Sequence, residues 1–260
     1  MCPVNAGVLT AQIRLYAKEL KMPGLSGAFE EVVRDGERAS RTHLQTLSAC
    51  LSAEVDSRAE HRLASRMKTA RFPALKTFET FDFSLVPSLN KARILELGSG
   101  AFTKERENVV CLGASGTGKT HVAIAIGAAA IYAGARVRFT TAVTLSQELL
   151  AAADDHRLPR YLRSWRSCDL VIVDELGYLP LGPGAPLMFQ FFAERYEAGS
   201  VLVTTNLEFS RWTEVFGDAT LTAALLDRLT HHSHVLVFEG ESYRFRESTA
   251  GRAGPRKQTT

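Results

Sequence analysis

A chain of 260 residues can hold one substantial core, or one core with a small accessory domain, and 45% apolar with 23% charged residues is the balance of an ordinary globular protein. No apolar run approaches the roughly 18 residues of a membrane span. Residues 1–7 carry neither the basic region nor the apolar stretch of a secretory signal, so a cytoplasmic protein with no membrane partner is expected. The net charge of +3 does not by itself single out nucleic acid as a ligand.

From about Leu9 to Arg71 the apolar residues recur at helical spacing without strand-like alternation, which predicts a small all-α domain over residues 1–71. Met22-Pro23-Gly24 divides two shorter helices, and a long helix follows with Ser40 or Thr42 as its candidate N-cap. Leu44, Leu47, Leu51 and Val55 share one face of that helix, and Pro73 ends it. Residues 72–107 hold Phe72, Phe78, Phe81 and Phe83 within twelve positions, more aromatic surface than a free linker carries. A connector packed on the following domain is expected. From Asn108 the pattern changes to short apolar runs separated by helical segments, at Val109–Leu112, Val137–Phe139, Leu170–Val173, Val201–Val203 and Val235–Phe238. Continuous apolar strands of this kind suit a parallel sheet covered on both faces, so residues 108–247 are expected to form a three-layer α/β domain with five parallel strands. Residues 248–260 contain no large apolar group and read as a basic, disordered tail. The cysteines Cys2, Cys50, Cys111 and Cys168 lack metal-type spacing and are expected to be free thiols.

The chemistry begins at Gly113-Ala114-Ser115-Gly116-Thr117-Gly118-Lys119-Thr120, which matches the P-loop pattern at every fixed position between an expected strand and an expected helix. Gly113, Gly116 and Gly118 allow backbone N–H groups to turn inward around phosphate oxygens at a helix N-terminus. Lys119 would neutralise the β- and γ-phosphates of ATP, and the Thr120 hydroxyl would ligate Mg²⁺. The run Leu170–Val173 leads into Asp174 and Glu175, carboxylates at the C-terminal end of a parallel strand, where α/β folds bind ligands. Asp174 would hold Mg²⁺ through water and Glu175 would polarise the attacking water. Asn206, after Thr204-Thr205, either orients that water or forms a turn. Arg228, within Leu225–Leu229, is either an arginine finger reaching a neighbouring subunit's nucleotide or half of a surface pair with Asp227.

These blocks, Gly113 to His121, Val173 to Pro180, Thr204 to Leu207, Trp212 with Val215 to Asp218, Leu225 to Leu229, His231 to His234 and Gly240 to Glu247, together resemble the IstB family. Arg71-Phe72-Pro73 and Phe81-Asp82-Phe83 fit the same pattern, so the resemblance runs from about residue 9 to 247. That family comprises transposition helper ATPases, relatives of the DnaC helicase loader within the AAA+ P-loop proteins. The resemblance implies Mg²⁺-dependent ATP hydrolysis, ATP-dependent homo-oligomers on double-stranded DNA, and a cognate transposase as partner. It also implies nucleotide contacts along Gly113–His121, Asn206 as the sensor at a strand end, Arg228 as the finger acting in trans, and Arg244 or Arg246 as a second sensor. Little chain follows the last strand, so the helical lid of many AAA+ proteins is mostly missing. A DnaC-like helicase loader is the alternative, because it shares the P-loop, the acidic strand and the finger. A metabolic P-loop kinase would need a small-substrate pocket and a lid, and the sequence offers neither.

Two basic clusters are candidates for DNA. Arg58, Arg62 and Arg66 are four apart on one helix and either contact phosphates or form a solvated or subunit-facing surface. Arg157, Arg160, Arg163 and Arg166 alternate with Tyr161 and Trp165, which favours a structural or interface role. His231, His232 and His234 lead directly into a strand, an arrangement that rarely converges on one ion.

Overall fold

A computed structural model describes residues 6–240 and Tyr243, so Cys2, Arg244, Arg246 and the expected tail at 248–260 lie outside the described residues. The chain divides into two compact units, Met1–Ser65 and Arg66–Thr260.

In the first unit α1 (Ala6–Glu19) packs on α2 (Pro23–Arg38), and α3 (His43–Ala70) begins beyond a turn. Pro23 opens α2 at a position whose N–H has no helical partner to lose. Of the two candidate caps for α3, Thr42 serves. Its hydroxyl accepts from the Gln45 N–H at 3.3 Å, and the Gln45 side chain accepts from the Thr42 N–H at 2.8 Å, a reciprocal capping box. Ser40 instead occupies the turn with φ +50°. The side of α3 facing α2 is polar at its centre. Glu54 is buried and accepts from the Leu25 N–H at 3.0 Å, at the N-terminus of α2, and from Arg58 Nε at 2.6 Å. Arg58 also donates to the Lys21 carbonyl at 2.9 Å, so one member of the basic stripe ties helices together. Leu44, Leu47, Leu51 and Val55 do share one face of α3, but that face is solvent-exposed. Helical period fixes which residues are neighbours on a helix, whereas the side that is covered depends on α2 and Glu54.

The second unit contains the short helices α4 (Lys91–Gly98) and α5 (Ala101–Glu105), then a five-stranded sheet and its helices. The strands are β1 (Asn108–Gly113), β2 (Val137–Thr141), β3 (Leu170–Leu176), β4 (Ser200–Thr205) and β5 (Ser233–Phe238), all parallel, in the order β2-β3-β4-β1-β5. Between them lie α6 (Lys119–Tyr132), α7 (Ala142–Asp154), α8 (Leu158–Trp165), α9 (Ala185–Arg195), α10 (Thr213–Phe216) and α11 (Ala219–Thr230). Side-chain alternation along β3 sends Val171 and Val173 into one core with Leu145, Leu149, Met188, Phe191 and Leu225 from α7, α9 and α11. Ile172 faces the other side, where Gly127 of α6 leaves room for it and for Phe72 of the connector. This is the expected α/β architecture, a five-stranded parallel sheet with helices on both faces, preceded by a helical region. The edge strand β5 departs from the pattern: Val235 and Val237 are exposed while Leu236 and Phe238 are buried, because only one of its faces is covered. Cys50, Cys111 and Cys168 are free and buried. Among the described residues no helix is long and apolar enough to cross a membrane.

Arg195, at the end of α9, is 2% exposed. Burial holds its pKa below the usual guanidinium value, and the charge is met by carbonyl dipoles of Trp165 at 2.9 Å, Cys168 at 3.0 Å and Ser200 at 3.1 Å. One side chain thus joins the exit of α8 to the starts of β3 and β4. Arg195→Met would remove all three of these bonds, leaving the Trp165 carbonyl only the Cys168 N–H, and a loss of about 3 kcal/mol is expected. It would be read as a lower urea midpoint at unchanged slope; an unshifted midpoint would show that the tie is dispensable.

Candidate nucleotide-binding site

The loop between β1 and α6 is built on glycines with left-handed or otherwise Gly-only backbone. Gly113 has φ +153°, and a β-carbon there would lie 2.3 Å from the Phe238 carbonyl oxygen of β5. Gly118 has φ +95° and abuts Phe81, whose ring edge would sit 2.6 Å from an added β-carbon. Any side chain at these two positions would force the loop away from the sheet or the connector. Lys119 arches over the loop, its ammonium 2.7 Å from the Gly113 carbonyl and 2.6 Å from that of Ala114. Thr117 is buried and closes the turn by donating to the Ala114 carbonyl at 2.8 Å.

The acidic strand end meets this loop directly. The Thr120 hydroxyl donates to both oxygens of Asp174, at 2.9 and 3.1 Å, and Asp174 is 4% exposed. Beyond it the ladder of β3 and β4 slips: Val173 pairs with Val203, but Leu176 pairs with Thr205, so β3 carries one extra residue. Glu175 sits in that bulge with φ +61° and an exposed side chain, and its N–H donates to the Thr204 hydroxyl at 2.9 Å. Thr204 in turn donates to Asp174 Oδ1. Burial pushes the thiol pKa of Cys111, next door on β1, well above the usual cysteine range, and the Asp174 charge pushes it further.

Glu175, Asn206, Thr204 and residues 115–121 line one cavity of about 580 Å³, which also takes in Phe81 and Val86 of the connector. Gly113, Ala114 and Asp174 stand just behind this lining, joined to it through Lys119 and Thr120. The connector is held there by His121, whose Nε2 lies 2.9 Å from the Thr77 carbonyl and 3.2 Å from the Thr80 hydroxyl, with its ring 5.3 Å from that of Phe81. The Tyr243 N–H donates to the Gly116 carbonyl at 3.0 Å, so the segment after β5 also touches the loop. Sequence reasoning identified the loop, both acids and Asn206, but not the connector residues or Tyr243 as cavity wall. The density of phenylalanines pointed to packing and said nothing of what they pack around.

Arg228 is not brought to this cavity. It lies half-buried on α11, bonded to the Ala224 carbonyl at 2.9 Å and 5.3 Å above the Phe189 ring. In the second basic cluster Arg157 pairs with Asp155 and Arg166 with Glu194. Its aromatic members face inward, Trp165 being buried against Phe191 and under the Arg138 guanidinium. His234 bonds to Glu107 at 2.8 Å and meets Arg93 at 2.7 Å, while the His231 and His232 rings meet edge to face.

A lysine on a glycine loop at a helix N-terminus, opposite a hydroxyl–carboxylate pair, is chemically suited to a nucleoside triphosphate and a hard divalent cation. Thr120 and Asp174 supply adjacent oxygens of the kind Mg²⁺ prefers. Comparison with known proteins agrees on the nucleotide. A Pseudomonas aeruginosa protein named as an ATP-binding protein of insertion sequence IS21 is 39% identical over 237 residues, 91% of this chain and 89% of its own length. Its counterpart for IS5376 in Geobacillus stearothermophilus is 36% identical, covering 91% and 94%. Among solved structures, AMPPCP-bound DnaA from Aquifex aeolicus superposes with a TM-score of 0.54 at 19% identity, over 72% of this chain and 58% of that one. DnaI gives 0.50 at 14%, over 64% and 89%. At such identities the two share the fold alone. The model of the family described as IstB-like ATP binding protein matches residues 15–251, and the chain belongs to that family.

Proposed function

We infer that the protein is a Mg²⁺-dependent ATPase that assembles on double-stranded DNA and serves a transposase as its helper. The observation carrying the reading is the continuous polar array Thr120–Asp174–Thr204–Glu175 beside a glycine loop on one cavity. Backbone N–H groups of residues 113–118 and the Lys119 ammonium would receive the phosphates. A bound Mg²⁺, held by Thr120 and Asp174, would offset phosphate charge. Glu175, exposed into the cavity, would take the proton of the attacking water, and Asn206 would align that water. Arg228 stands apart from its own cavity, which suits a residue that completes a neighbour's site in an oligomer. In this reading residues 108–247 carry the nucleotide chemistry, residues 72–107 form a wall of the cavity, and the helices of 1–71 offer DNA contacts through Arg62 and Arg66, with Arg58 committed to Glu54. The names of the relatives place them in insertion sequences, which supports a transposase as partner.

Lys119→Ala is expected to weaken ATP binding about 100-fold, because the phosphate charge loses its counter-ion. Unchanged ATP affinity by calorimetry would contradict the assignment. Glu175→Gln should keep that affinity and slow hydrolysis by about 100-fold or more; normal turnover would remove Glu175 from its role. Arg228→Ala should cut assembled turnover by about 1000-fold, and mixing it with Lys119→Ala should restore part of the activity. No recovery on mixing would contradict action in trans. The function itself is tested by fluorescence anisotropy of Glu175→Gln on a long duplex of arbitrary sequence with ATP, ADP or no nucleotide. Binding only with ATP, weakening steeply as salt rises, is expected. No duplex binding under any nucleotide would overturn the reading in favour of a helicase loader.

A further inference from the structure

Thr204 lies in β4, 2% exposed, and touches both acids of the β3 end. A hydroxyl has one proton and two lone pairs. Here the proton can go only one way: the Glu175 N–H donates to Thr204 Oγ1 at 2.9 Å, so Oγ1 is the acceptor there and gives its own proton to Asp174 Oδ1. The N–H that it holds belongs to the residue in the left-handed conformation, φ +61°, at the one-residue bulge. Glutamate has no steric reason to adopt that conformation, and neighbours must impose it. Thr204 is the side chain in contact with that peptide group, and it is anchored at its other end to a carboxylate that Thr120 holds from α6.

We propose that Thr204 is a positioning residue for hydrolysis: its hydroxyl clamps the Glu175 peptide in the left-handed bulge, registering the Glu175 carboxylate against the water attacking ATP, with Asp174 as the fixed point. The role rests on the ATPase reading above and acts through Glu175 rather than on the nucleotide. Thr204 would then govern turnover and leave nucleotide affinity alone, and a hydroxyl, not the threonine methyl, would be the working part.

The test uses the full chain and measures ATP affinity, KM and kcat for wild type, Thr204→Val, Thr204→Ser, Glu175→Gln and the Thr204→Val/Glu175→Gln double variant. Thr204→Val is expected to bind ATP within about twofold of wild type while kcat falls about 100-fold, the range of one acid–base group. Thr204→Ser should recover most of that loss, and the double variant should be no slower than Glu175→Gln alone, because the two residues act as a unit. Retained ATP binding certifies the fold of each variant. Four results overturn the proposal: near-normal kcat in Thr204→Val, a loss confined to affinity, a serine variant as slow as the valine one, or losses that multiply in the double variant. Wild-type turnover no faster than Glu175→Gln would remove the ATPase reading and this role together. A fast wild type, a slow Glu175→Gln and a fast Thr204→Val would remove this role only.

Discussion

Consecutive residues of a β-strand point to opposite faces, so two adjacent carboxylates cannot both serve one cleft while the strand stays regular. The end of β3 resolves this by inserting one residue against β4 and turning the backbone left-handed at Glu175. Asp174 keeps its place inside the sheet, bonded to Thr120 and Thr204, while Glu175 emerges into the cavity. The placing of the two acids depends on that break in alternation. Without it one acid would lie in the core under α7 and α9, unpaired and costly. The glycine loop supplies the other half of the geometry: Gly113 brings β1 against β5 closely enough that the loop starts at a fixed height above the sheet.

Features written in local sequence were legible in advance, and features made by distant partners were not. The loop Gly113–Thr120 announces itself because its glycines, lysine and threonine are consecutive and their spacing is dictated by a phosphate. Strands β1, β3 and β4 are legible because parallel strands buried on two faces carry an uninterrupted apolar run, whereas Arg138 interrupts that of β2 and β5, apolar throughout Val235–Phe238, leaves alternate residues exposed. Thr204 carried no such signal. Its two partners, Asp174 and Glu175, are about thirty residues away and reach it only through strand register. The density of phenylalanines in the connector predicts packing, yet that Phe81 lies against Gly118 depends on where His121 meets Thr77 and Thr80.

Charge followed the same rule. Arg58, Arg62 and Arg66 share a helix face by spacing, but Arg58 has a buried partner in Glu54, and that pairing is fixed by the N-terminus of α2. Trp165 and Tyr161 are interleaved with arginines along the chain, but helical period turns them inward and leaves Arg160 and Arg163 outside. Counting residues finds clusters; only the covered face decides which members reach solvent.

The left-handed backbone at Glu175 also carries a cost in stability. Glycine would occupy that conformation with no steric penalty, and asparagine with little, whereas glutamate costs about 1 kcal/mol there. Replacing Glu175 by glycine or asparagine would relieve that cost and erase the carboxylate. Fold stability and chemistry therefore pull in opposite directions at a single codon. Glutamate there gives up about that much stability for a carboxylate that faces the cavity.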